Sequence, residues 1–238
     1  MNSGKYVFAQ ILQFIDRYEF DKCVAKYNGD FRTREFNCWN QFIQLFFGQL
    51  TSRNSLRDIC VCLKAHQNKL YHLGIRKYVN QSTLSRANEG RDHRIFSDFG
   101  NYLIGKVRPL YNKERIAGVD ITNEVFALDS TTISLSLKLF NWAPGKYSRG
   151  AVKVHTLLDL RGSIPAFIMI TDGKYHDSNV LDSLIATPDS IYIMDKAYID
   201  FAALQDINAC GAYFITRAKT TMDFTVTENN VSPHYGAS

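Results

Sequence analysis

No run of 18 or more apolar residues occurs in this 238-residue chain, so no membrane span is expected. The opening stretch, MNSGKYVFAQILQFIDRYEF, lacks a basic lead, an unbroken apolar centre and a small-residue cleavage site, which argues against a signal peptide. Cysteine is sparse: Cys23, Cys38, Cys60, Cys62 and Cys210 are odd in number and scattered. Cys60 and Cys62 stand two apart in a helical pattern and point to different faces. Neither a disulfide framework nor a zinc spacing results, and the pattern is that of reduced core cysteines in a cytoplasmic protein. Internal repeats and low-complexity segments are also missing. What is there suffices for a sizeable core, in one large domain or two small ones.

Charge is uneven along the chain. Residues 1–120 hold 19 Lys and Arg against 11 Asp and Glu, whereas residues 121–238 hold 9 against 12. A basic half followed by a mildly acidic one suggests a polyanion-binding module joined to a carboxylate-bearing one.

The basic half reads as helical. Apolar residues recur at helical spacing over 5–20, from about Asn37 to Leu50, and over about Ser55–His66. The Arg32-Thr33-Arg34 run reads as a solvated turn. In VNQSTLSRANEG (79–90), Ser82 caps a short helix from Thr83 that exposes Ser85, Arg86 and Asn88. Such a helix after a glycine-containing turn fits the recognition element of a helix-turn-helix, and fits a plain capped surface helix as well. Arg76, Lys77, Arg86, Arg91, His93 and Arg94 supply charge for DNA phosphates around it. A longer helix over about Ile95–Tyr111 closes this half, predicted as a domain over 1–115.

From Val125 the period changes from helical to two. VFALDSTTISLSL (125–137) reads as a core strand carrying one acid, Asp129, whose burial would call for a cation. That cation is a metal on one reading; on the other, Asp129 caps a turn or pairs with a nearby Lys. Strands follow at 151–159 and 164–171, then a helix from His176 to about Ala186. SIYIMD (190–195) is a short strand ending in Asp195, ahead of a helix over about 200–209 and a strand over 212–216. The order βββαβαβ, antiparallel first and crossover later, is that of an RNase H-like mixed sheet, placing an α/β domain at 120–228 before an irregular tail at 229–238. Asp129 and Asp195 could converge on Mg²⁺, which takes few carboxylates together with waters and phosphate oxygens.

Four stretches in order resemble the DDE transposases of bacterial insertion sequences, in particular insertion-sequence family four: ALDSTTISL around Asp129, KVHTLLDLRGSIP at 153–165, TDGKYHDSNVL at 171–181 and YIMDKAYIDF at 192–201. The helical half, with SLRDICVCLKAH, KLYHLGI and STLSRANEGRD, is similar to the N-terminal domain of one branch of that family. The resemblance implies DNA transposition at element ends and double-stranded DNA as partner. It implies that Asp129 and Asp195 are catalytic acids holding Mg²⁺ or Mn²⁺. It also implies DNA-strand or neighbouring contacts for Lys153 and His176, and a homodimer, for which no interface is legible. Asp159, Asp172 and Asp177 read as structural caps. The family's third acid, a Glu within a Tyr-x2-Arg-x3-Glu-x6-Lys signature, has no counterpart here. The expectation is therefore a C-terminally truncated, inactive transposase, or alternatively a non-catalytic DNA-binding remnant that inhibits transposition.

Overall fold

The computed structural model describes residues 6–111, 116, 121–135, 150–223 and 225. They fall into two compact units, Met1–Gly105 and Lys106–Ser238. The predicted tail at 229–238 and the end of the first strand beyond 135 lie outside the described residues.

The first unit is helical. α1 (Val7–Ile11) runs into a 3-10 turn at Leu12–Phe14, and the chain then leaves helical geometry at Ile15. Asp16 opens α2 (Arg17–Lys26) by accepting a hydrogen bond from the Glu19 N–H. The single helix expected over 5–20 is thus two, because an N-cap interrupts the apolar period. α3 (Cys38–Leu50) and α4 (Leu56–Ala65) are capped by Asn37 and Ser55. They approach so closely that a Cβ on Gly48 would collide with the Ile59 side chain. α5 (Gln81–Gly90) starts two residues earlier than the predicted Thr83, and α6 (Arg94–Tyr111) follows. One core gathers Ile43, Leu63, Ile75 and Leu84, and the other Phe20, Cys38, Ile95 and Phe99. Trp39 and Phe42 pack against both, so the aromatic stripe of α3 is core material. The boundary of the units falls inside α6.

The second unit is built on a sheet of β1 (Val125–Leu135), β2 (Gly150–Asp159), β3 (Ile164–Asp172), β4 (Ile191–Met194) and β5 (Tyr213–Thr216). Their spatial order is β3-β2-β1-β4-β5. β1, β2 and β3 pair antiparallel, whereas β4 joins β1, and β5 joins β4, in parallel. This is the RNase H-like arrangement expected from the order of elements. Pro165 sits on the edge strand β3, where its missing N–H does least harm. The segment predicted as a helix from His176 is a 3-10 stretch, Asp177–Ser183. α7 (Phe201–Ala209) is capped by Asp200 and closed by Gly211 at φ 81.

Alternation along the strands assigns the faces. Phe126, Leu128, Leu157, Tyr192 and Met194 turn inward with Val180, Leu181, Leu204 and Ile207. Ile133, Ile168, Ile170, Tyr213 and Ile215 lie on the other side and are exposed.

Candidate active site

Asp129 follows Leu128 on β1 and is exposed, not buried as the apolar run suggested. Phe126 and Leu128 take the inward positions, so alternation turns Asp129 outward, where water solvates the carboxylate without a resident cation. Asp195 follows directly on Met194 and is also exposed. Leu128 and Met194 are the last register partners of parallel strands β1 and β4. Asp129, in the middle of β1, and Asp195, just past the end of β4, therefore each come next after that register pair of neighbouring parallel strands.

Their charges meet at the Tyr198 hydroxyl. Burial first, with the nearby carboxylates Asp177, Asp129 and Asp195 adding and a Ser130 hydrogen bond opposing, pushes this phenol up to about 12. Around Asp195 the field is cationic. Arg217 Nη2 donates to its Oδ2 at 3.0 Å, and a cleft of about 520 Å³ beside it is lined by Lys196, Lys219, Thr220 and Thr221. Partial desolvation works to raise the Asp195 carboxyl, but the Arg217 guanidinium and the N–H groups of Lys196 and Ala197 outweigh it and hold it below the usual carboxylate range.

Directly behind the acids, the inward face turns polar. Ser130, next to Asp129, donates to Asp177 Oδ1 at 3.3 Å. Lys153 Nζ donates to the same oxygen at 3.1 Å and to the Tyr175 carbonyl at 2.9 Å. His155, fully buried, lies 3.0 Å from Thr171 Oγ1 through Nε2 and 3.4 Å from the Tyr198 hydroxyl through Nδ1. Thr171 spends its proton on the Asp172 carbonyl, so it accepts from His155. That fixes the proton of the imidazole on Nε2 and leaves Nδ1 to accept from Tyr198. The hydrogen bond between Ser130 and Tyr198 ties the β1 residue beside Asp129 to the 3-10 turn Lys196–Tyr198 that follows Asp195.

Burial is the main cause that lowers the His155 pKa; Asp177 opposes it and Lys153 assists it. A neutral folded imidazole contributes stability that is full above the unfolded value of about 6.5 and is lost as pH falls from there toward the depressed folded value. His155→Gln should flatten the decline of the urea midpoint between neutral and mildly acidic pH. An unchanged pH slope would show that His155 is not the titrating group.

Lys153, expected as a DNA-strand or neighbouring contact, is enclosed in the pair with Asp177, with only 15% of its side chain exposed. Arg91 likewise is no surface cation: its guanidinium donates to the Phe36 and Asn37 carbonyls and to Gln41 Oε1. Arg94 is exposed but chelates Asp92 and stacks on Tyr27 at 4.7 Å. Arg76, Lys77, Ser85 and Arg86 are exposed in the first unit, with Lys77 3.3 Å from Glu35 and Arg86 donating to the Ser82 carbonyl. His176 is exposed, with Nδ1 2.8 Å from Ser178 Oγ. Asp159 pairs with Arg161 at 2.8 Å, and Asp172 accepts the Lys174 and Tyr175 N–H groups, so both act as structural acids. Sequence reasoning missed Ser130, Thr171 and Tyr198. The available signal was Lys153 and His155, two polar residues two apart on a strand whose same face continues as Leu157.

Two exposed carboxylates on adjacent strands form a hard-oxygen donor set, which suits a hydrated Mg²⁺ or Mn²⁺ completed by water and phosphate oxygens. Among the described residues there is no cluster of three or more His, Cys, Asp and Glu that could hold a metal ion.

Residues 121–235 match the model of the transposase DDE domain, and residues 3–76 match a domain of unknown function, DUF4372. A protein of Sinorhizobium fredii named as the transposase y4zB is 27% identical over 146 residues, which are 61% of this chain and 39% of that one. A protein of Synechocystis named as the transposase for insertion sequence element IS4SA is 28% identical over 147 residues, 60% of this chain and 41% of that one. By these matches the chain carries a transposase DDE domain at residues 121–235. It spans about two fifths of the length of these curated relatives. Among solved structures, the synaptic complex of piggyBac transposase with hairpin DNA matches 93% of this chain and 53% of that one, at a TM-score of 0.46 and 10% identity. DDE transposases depend on divalent metal ions. Among the described residues, no helix is long and apolar enough to cross a membrane.

Proposed function

We propose that the second unit carries metal-dependent phosphodiester chemistry on double-stranded DNA at the ends of an insertion sequence. Asp129 and Asp195 would serve as two of the ligands for Mg²⁺ or Mn²⁺. The supporting observation is the position of the two acids, Asp129 on β1 and Asp195 directly after β4, each following one of a pair of register partners on adjacent parallel strands of an RNase H-like sheet. A bound divalent ion supplies Lewis acidity to the attacking and leaving oxygens of an in-line displacement. The protein's part is positioning. The network behind Ser130 and Tyr198 holds the two acid-bearing segments in place. Lys196 and Lys219 put positive charge where a DNA phosphate would approach Asp195. Arg217 balances Asp195 in the absence of a stronger cation. The exposed residues Arg76, Lys77, Ser85 and Arg86 of the first unit would contact DNA, as would His176 of the second. A cytoplasmic homodimer acting on two element ends belongs to the same reading.

Mn²⁺ titration followed by electron paramagnetic resonance tests the metal assignment. Bound Mn²⁺ is expected with the unaltered chain and not with the Asp129→Asn/Asp195→Asn double variant. Equal binding by both would overturn it.

A further inference from the structure

The first unit contains a cleft that the chemistry above does not use. It measures about 840 Å³ and is lined by Arg34, Arg76, Lys77, Asn40, Asn80 and Thr83, with Phe36 and Tyr78 between them. Arg34 and Arg76 are exposed, and neither makes an ion pair among the described residues. Glu35 is the single acid of the lining, and it takes Lys77 at 3.3 Å. Two cations are thus left over on the walls, beside amide and hydroxyl side chains that suit phosphate oxygens.

Both edges of the cleft are pinned from below. Gln44, fully buried on α3, donates through Nε2 to the Lys77 carbonyl at 3.1 Å. Ile75, also fully buried, anchors the same segment. On the other edge Arg91 donates to the Phe36 and Asn37 carbonyls. The charges therefore stand on backbone fixed by part-buried hydrogen bonds, which lowers the ordering cost of binding an anion. The cleft also borders Asn80 and Thr83 at the start of α5, and α5 carries exposed Ser85 and Arg86. An open, cationic cleft beside an exposed polar helix matches the backbone of a duplex better than a free nucleotide, which a more enclosed pocket would hold.

We infer that this cleft is a seat for phosphates of duplex DNA, with Arg34 and Arg76 as its two principal contacts. The sequence left Arg34 as a solvated turn residue. The inference rests on the reading of the chain as DNA-acting and assigns a role to the part matched by the domain of unknown function.

The test is fluorescence anisotropy with the full chain and two labelled duplexes of unrelated sequence, over a range of salt concentrations. The Arg34→Ala/Arg76→Ala variant should bind both duplexes about tenfold more weakly at low salt, and its plot of log affinity against log salt should flatten by roughly 0.9 per lost phosphate contact. Arg57→Ala, an exposed cation of the same unit outside the cleft, should leave the slope unchanged. Circular dichroism checks that all variants keep their helices. An unchanged slope in the double variant, or an equal loss with Arg57→Ala, overturns the cleft. If either occurs while the unaltered chain binds DNA and Mn²⁺ as proposed, the cleft alone falls. If the unaltered chain binds neither duplex at any salt concentration, the DNA-acting reading falls with it.

Discussion

Lys153→Met should destabilise the second unit by roughly 3 kcal/mol, the low end of the cost of stripping one partner from a buried ion pair. The side chains of Lys153 and Asp177 are 15% and 21% exposed, so neither charge is well solvated. Without the ammonium, Asp177 Oδ1 keeps only the Ser130 hydroxyl at 3.3 Å, while His155 nearby is held neutral by its burial. The Tyr175 carbonyl loses its donor as well. Desolvation of the stranded carboxylate, more than loss of the attraction itself, sets the cost. Removing both charges should therefore be milder than removing one: Lys153→Met/Asp177→Leu should recover most of the loss. Urea unfolding with the denaturant slope held constant reads both numbers. A single variant within about 0.5 kcal/mol of the unaltered chain, the range of ordinary surface substitutions, would show the pair to be incidental.

The pair also illustrates what the sequence can and cannot carry. Strands are legible because their alternation is local: Val125–Leu135 and Ile191–Met194 announce themselves by period and by their flanking residues. Capped helices such as Cys38–Leu50 and Leu56–Ala65 are legible for the same reason. The position of Asp129 was legible, but its environment was not. A strand's two faces exchange with a one-residue shift, and only the packing of Phe126 and Leu128 on the core decides which side the acid takes. For Lys153 the resemblance implied a DNA-strand or neighbouring contact, without naming its partner in the fold. Its true partner, Asp177, lies 24 residues on, in a 3-10 turn brought beneath the sheet by tertiary folding. Arg91 misled for the same reason, since its acceptors Phe36 and Asn37 are more than 50 residues away. Long-range hydrogen bonds leave no periodic trace. The split of the first helix at Asp16 was local and could have been read: an acid at an N-cap three residues before Glu19 is a start signal inside an apolar period.

Three carboxylates influence Tyr198, and substitution should separate them by role. Asp129→Asn should leave the unfolding midpoint almost unmoved, because the side chain is exposed on the outward face of β1. It should nevertheless weaken Mn²⁺ binding at least about tenfold, since even outer partners of metal ligands carry that much. Asp195→Asn should behave alike: its pair with Arg217 is surface-exposed and contributes little to folding. Asp177→Asn should do the reverse, lowering the midpoint while the folded fraction keeps its Mn²⁺ affinity. Arg217→Gln supplies a change of opposite sign. The guanidinium occupies Asp195 Oδ2 at 3.0 Å, so a divalent ion must displace it, and its removal should tighten Mn²⁺ binding by roughly a few-fold, no more than an exposed pair allows. Paired urea and Mn²⁺ titrations of the four variants give the comparison. A loss of Mn²⁺ affinity in Asp177→Asn matching that in Asp129→Asn would move Asp177 into the metal site. Weaker binding in Arg217→Gln would mean that the guanidinium orients Asp195 for the ion and does not compete with it.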